Sequence, residues 1–152
     1  MHETIEDNIK DVLSGDLLKN ALDFVTYLRE SGMTPDGNRF YYMGEMTCII
    51  IWKKDKTNPS GEWFICDCPI HGQEGFPIDE SVKEYAQANV SICRNCGCDH
   101  EARGVTKTIF GKEFNNLCSS EVIFVNPDAE GLEKIKMLME LWKHIIAESK
   151  KN

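Results

Sequence analysis

The cysteines are the residues of this sequence whose type and spacing could do chemistry. Seven occur in 152 residues, and five of them, with two histidines, lie between positions 66 and 100. Two short segments there, Cys68-x-x-His71 and Cys93-x-x-Cys96, place ligand-type residues three positions apart and continue with a glycine. Side chains so spaced on a tight turn can converge on one metal ion, and the glycine lets backbone amides point toward a sulfur. The pattern predicts a pair of metal-binding knuckles.

The two segments together predict one zinc ion. Residues 72–92 separate them, close to the gap of about 15–20 residues that is typical of paired zinc knuckles. Three thiolates and one imidazole form a common closed tetrahedral zinc set. The predicted structural ligands are Cys68, His71, Cys93 and Cys96. Because Cys66, Cys98 and His100 lie one or two positions from this set, they are alternative ligands, and the register of the site stays open.

Residues 66–98 resemble the zinc-ribbon and rubredoxin class of paired knuckles. The sequence departs from that pattern at His71, where the commoner knuckle carries a second cysteine. An imidazole among the ligands favours zinc over the iron of a rubredoxin. The resemblance implies a closed site in which the metal is structural.

A second interpretation uses the same cysteines as a redox or metal-responsive sensor. Thiolates among Cys93, Cys96 and Cys98 could be oxidised reversibly, with release of zinc as the switch. The surplus of ligand-type residues beyond four favours this alternative. By contrast, Cys48 in an apolar segment and Cys118 are predicted to be small buried hydrophobic residues.

Composition excludes several classes of function. The chain has 25 acidic and 17 basic residues and a formal net charge of −8, which argues against nonspecific binding to nucleic acids or anionic membranes. No apolar run approaches the roughly 20 residues of a membrane-spanning helix, and the acidic N-terminus is unlike a signal peptide. We therefore expect a cytoplasmic protein whose partner is a protein or a small molecule.

Enzyme signatures are absent from the sequence. It contains no phosphate-binding loop, no dinucleotide-binding glycine pattern, no nucleophile elbow and no His-Glu-x-x-His motif. Because catalytic groups scattered along a chain leave no local trace, an enzyme stays open, but a binding or regulatory role is favoured.

Hydrophobic periodicity predicts the elements that position the cysteines. Helices are expected over 16–30, 79–89 and 127–148, and strands over 39–43, 46–52, 62–66, 105–110, 114–117 and 122–125. Asn126 is the predicted cap of the last helix, and Gly111-Lys112 the predicted hairpin turn. This order predicts one α+β domain over 1–152, in which an antiparallel sheet is flanked by N- and C-terminal helices and a Cys-rich zinc-binding insert covers about 66–104.

The frame around the insert resembles small bacterial α+β domains of the YdhG and YjbR type. The features that carry this resemblance are a leading helix, an antiparallel sheet and the Asn126-Pro127-Asp128 start of a terminal helix. It covers residues 16–52 and 105–148 and concerns architecture alone, so it implies a fold and no function.

Overall fold

The computed structural model describes residues 4–68, 76–93 and 104–151, with Ser119 described by its backbone only. It confirms an α+β chain with an antiparallel sheet and helices at both ends. The elements are α1 (Ile5–Lys10), α2 (Gly15–Glu30), β1 (Thr34–Asp36), β2 (Arg39–Tyr42), β3 (Glu45–Lys53), β4 (Glu62–Cys66), α3 (Glu80–Ala88), β5 (Val90–Ile92), β6 (Val105–Ile109), β7 (Lys112–Val125) and α4 (Ala129–Ser149).

The sheet has seven strands in the described part of the chain. Its order is β1-β2-β3-β4-β7-β5, and β6 also pairs with β7. Every pairing is antiparallel. The first four strands follow one another as a meander, whereas β7 returns from far along the chain to pair with β4. Strand β7 therefore joins the meander to the strands that border the Cys-rich region.

The core lies between this sheet and the helices. The apolar stripe of α2 buries Phe24, Val25 and Leu28 completely, and the Phe24 ring lies 6.3 Å from the ring of Trp63 in β4. In α3, the Tyr85 ring stacks on Phe124 of β7 at 5.4 Å. Burying aromatic side chains of this size supplies much of the hydrophobic stabilisation of a small domain. The strands that border the cysteines are thereby anchored to the helices.

A short first helix was not predicted from the sequence. Thr4 caps α1 by accepting a hydrogen bond from the backbone N–H of Asp7, whose side chain accepts in return from the N–H of Thr4. Helix α1 buries Ile5 and Ile9. Six residues are too few for a periodic pattern, and a helix of this length is stable only through such packing.

Two details of the second half differ from the prediction. The residues expected to form two strands, 114–117 and 122–125, belong to the single strand β7, whose irregular points are Asn116 and Glu121, with φ of 59° and 63°. The hairpin turn before β7 is centred on Phe110 and Gly111, both with positive φ, and not on Gly111 and Lys112. This two-residue turn with positive φ at both positions matches the twist of the strands.

The start of α4 also differs from the prediction. Asp128, not Asn126, caps the helix by accepting from the N–H of Gly131 at 2.8 Å. Asn126 instead continues the sheet, because its side-chain oxygen accepts from the backbone N–H of Trp63 at 2.9 Å and its own N–H donates to the Trp63 carbonyl at 2.8 Å. In the described part of the chain, no helix is long and apolar enough to cross a bilayer.

Candidate metal centre

The first predicted knuckle begins where β4 ends. Asp67 follows Cys66 with a φ of 56° and turns the chain out of the strand. Its carboxylate accepts a hydrogen bond from the Ser120 hydroxyl of β7 at 2.5 Å. Cys68 comes next and is only 1 % exposed. The start of this knuckle is therefore fixed to β7 on one side.

The second predicted knuckle begins where β5 ends. The backbone N–H of Cys93 donates to the Asn116 carbonyl of β7 at 2.7 Å. The Asn116 side-chain amide donates back to the Cys93 carbonyl at 3.1 Å. Cys93 itself is half-buried. Two hydrogen bonds to one residue hold its backbone against β7.

The topology brings the starts of the two knuckles to the irregular middle part of β7, between Asn116 and Ile123. Strands β4 and β5 are both antiparallel to β7 and lie on its two sides, so they run parallel to each other. Two strand spacings, about 10 Å, separate them laterally. A register shift between Val90 and Ile92 lets this short strand span the irregular part of β7, from Val122 to Leu117.

The chain after the second knuckle returns on the side of β7 on which β4 lies. Val105, at the start of β6, pairs with Leu117, which pairs with Ile92 of β5 on its other side. The N–H of Gly104 donates to the Leu117 carbonyl at 2.7 Å. Cys93 and Gly104 therefore lie on opposite sides of β7, both close to Leu117. Gly104 is on the side of β7 on which β4 also lies, so the described residues that flank the segment between β5 and β6 lie on the two sides of β7.

Burial raises the pKa of three thiols in and beside β4, those of Cys48, Cys66 and Cys68. Desolvation, together with the nearby charge of Asp67, raises the pKa of Cys66 to about 12. Burial likewise raises the pKa of Cys48 to about 12, and that of Cys68 well above its ordinary value. Zinc binds thiolates, so a metal bound by Cys68 has to displace its proton.

The structure places only some of the predicted ligands. Cys66, Cys68 and Cys93 lie in the described ranges, whereas His71, Cys96, Cys98 and His100 lie outside them. Among the residues described, no group of three or more His, Cys, Asp or Glu side chains is arranged to hold a metal ion. The four-ligand set therefore stays a prediction, and the alternative ligands stay open. The donor set itself, three cysteines and one histidine, is chemically suited to zinc.

Sequence reasoning missed the residues that position the knuckles. Ser120 and Asn116 contact Asp67 and Cys93 across 53 and 23 positions of sequence, so no local pattern relates them. The one available signal is that β7 carries polar residues where a buried strand would be apolar. As predicted, Cys48 is fully buried, whereas Cys118 is only partly so.

Comparisons with known proteins return no match: no family model, curated protein or solved structure is similar to this chain. The resemblances to paired zinc knuckles and to the YdhG and YjbR type therefore rest on the residues alone.

Proposed function

We propose that this chain is a cytoplasmic zinc-binding protein with a binding or regulatory role, in which one structural zinc ion is held by Cys68, His71, Cys93 and Cys96. The observation that carries the proposal is the position of Cys68 and Cys93, since each follows the end of a strand bordering β7 and both strands run in the same direction. The two segments that carry ligand-type residues thus start beside the same irregular part of β7.

The composition of the insert supports a structural role for the metal. Residues 69–75 and 94–103 contain few large apolar side chains, so they have little with which to build a core of their own. Zinc binding can replace such a core, because its free energy, about 10–16 kcal/mol in small zinc-finger peptides, becomes local folding energy.

The test is the metal content of the full chain and its variants. We expect about one zinc per chain by native mass spectrometry, lost on denaturation. Cys96→Ser and His71→Ala should each lose the zinc and lower the melting temperature. Cys48→Ala is the matched control, since it removes a buried thiol from β3 and should cost stability while the zinc is retained.

The ligand register is tested in the same way. If Cys66, Cys98 or His100 is a true ligand, replacing it by alanine will abolish zinc binding. The residue of the proposed set whose place it takes can then be replaced by alanine without loss of the zinc. A wild-type chain with seven free thiols and no metal would contradict the proposal entirely.

The sensor remains a second candidate because the cysteines that begin the two knuckles differ in exposure. Cys93 is half-buried and accessible to oxidants, whereas Cys68 is shielded. Zinc release on treatment with a mild oxidant, followed by zinc rebinding once a thiol reductant is added, would support the sensor. Zinc retention under the same treatment would support a purely structural site.

A further inference from the structure

A cavity of about 510 Å³ lies between α1, the end of α2, the β1–β2 hairpin and β3, and none of the described cysteines lines it. Its volume lies within the range of about 300–1,000 Å³ for small-molecule sites. Ile50 and Trp52 of β3 line it on the sheet side, and Ile5 of α1 and Pro35 of β1 on the others. Trp52 is half-buried and offers an aromatic surface.

Three polar side chains border this cavity with hydrogen-bonding capacity to spare. Asn8 of α1 and Asn38, next to Gly37 in the hairpin turn, both line it and are half-buried. Within the described ranges, neither side-chain amide forms a hydrogen bond. Arg29 binds Glu6 through its Nε, 2.8 Å from Oε2, and its Nη2, 2.9 Å from Oε1. That bidentate contact leaves Nη1 available as a donor.

The described residues that line the cavity offer no unpaired positive charge to an anion. Arg29 is the one charged residue among them, and its guanidinium is already paired with Glu6. A phosphate or carboxylate brought to this cavity would find no free cation there, on a chain whose formal net charge is −8. A neutral ligand does not need one.

We propose that this cavity binds a neutral planar heteroaromatic molecule of nucleoside size. Each carboxamide presents a donor and an acceptor side by side, which is the arrangement that reads the edge of a nucleobase. The indole of Trp52 supplies a stacking surface for the ring. The proposal is independent of the metal centre, because none of the residues that it uses belongs to the Cys-rich region.

The experiment titrates the full-length chain with adenosine, guanosine, cytidine and uridine by calorimetry, with ¹H–¹⁵N NMR to locate the change. At least one nucleoside should bind with one-to-one stoichiometry and shift the amide signals of Asn8 and Asn38. Its 5′-monophosphate should bind more weakly. Asn8→Ala, on a helix surface where alanine is favourable, should weaken binding about tenfold, as expected for the loss of one hydrogen-bonded pair.

Two comparisons keep the test specific. Asn20→Ala, the same change on α2 away from the cavity, should leave the affinity unchanged, while Trp52→Leu should weaken it about tenfold or more. Absence of binding by all four nucleosides up to about 1 mM would overturn the proposal. So would binding that Asn8→Ala and Trp52→Leu leave intact, or tighter binding of the monophosphate.

Discussion

Asn126 links β4 to the start of α4, and its replacement should cost more than the loss of a helix cap. Its side-chain oxygen accepts from the Trp63 N–H at 2.9 Å, and its backbone has a φ of 44°. Alanine at this position would leave the Trp63 N–H, in a fully buried residue, without its acceptor.

The cost can be worked out from these two features. An unsatisfied buried donor costs about 1–3 kcal/mol, and a residue with a Cβ in the left-handed region costs about 1 kcal/mol or more, which asparagine partly avoids. We therefore expect Asn126→Ala to lower the free energy of unfolding by about 3 kcal/mol. Asn126→Gly, which relieves the strain but still lacks the acceptor, should lose about 2 kcal/mol.

Urea unfolding of the full chain, with the same zinc concentration in every sample, measures these differences. Asn126→Asp keeps an acceptor and should lose less than about 1 kcal/mol, and Asp128→Ala, which removes the α4 cap, should lose about 1 kcal/mol. For a chain of this size, a loss of about 3 kcal/mol corresponds to a fall of roughly 9 °C in melting temperature. If Asn126→Ala cost no more than Asp128→Ala, and Asn126→Gly were no better tolerated, Asn126 would be acting only as part of the helix start and our reasoning would be wrong.

Two further predictions concern the N-terminal half. Gly61→Ala should destabilise the protein by at least about 2 kcal/mol more than Gly44→Ala, as measured by urea unfolding. Both glycines have positive φ, but a Cβ at Gly61 would lie 2.6 Å from a methyl carbon of Leu13, whereas a Cβ at Gly44 would meet nothing within 4 Å. Equal losses of stability would refute the steric argument. Arg29 holds the pKa of Glu6 below its ordinary value, so the ion pair's contribution, under about 1 kcal/mol, should be present near neutral pH and be lost as the pH falls below about 4.5. The difference in unfolding free energy between the wild type and Glu6→Gln measures it, and a difference that did not shrink in acid would count against the pair.

The sequence predicts the elements here better than it predicts their ends. Periodicity finds α2 and β4 almost to the residue, because their apolar side chains repeat at the period of the element. Asn126 is predicted as the cap of α4 because Asn-Pro-Asp is a typical helix start. Its side chain instead accepts a hydrogen bond from the backbone N–H of Trp63, which lies 63 positions earlier and is invisible to a local pattern. The same limit applies to the candidate metal centre, where ligand types and spacing are visible in the sequence but the contacts of Ser120 and Asn116 are not.

The late return of β7 has a consequence for synthesis of the chain. Strand β4 pairs with β3 on one side and with residues 123–125 on the other, so one row of its backbone groups has no partner until roughly 60 more residues have left the ribosome, about 3–12 s later. An unpaired strand edge is a template for pairing with other chains. All the cysteines between positions 66 and 100 emerge during this interval, so zinc in the surrounding solution meets these thiols before β7, the strand that contacts Cys66 and Cys93, has been made.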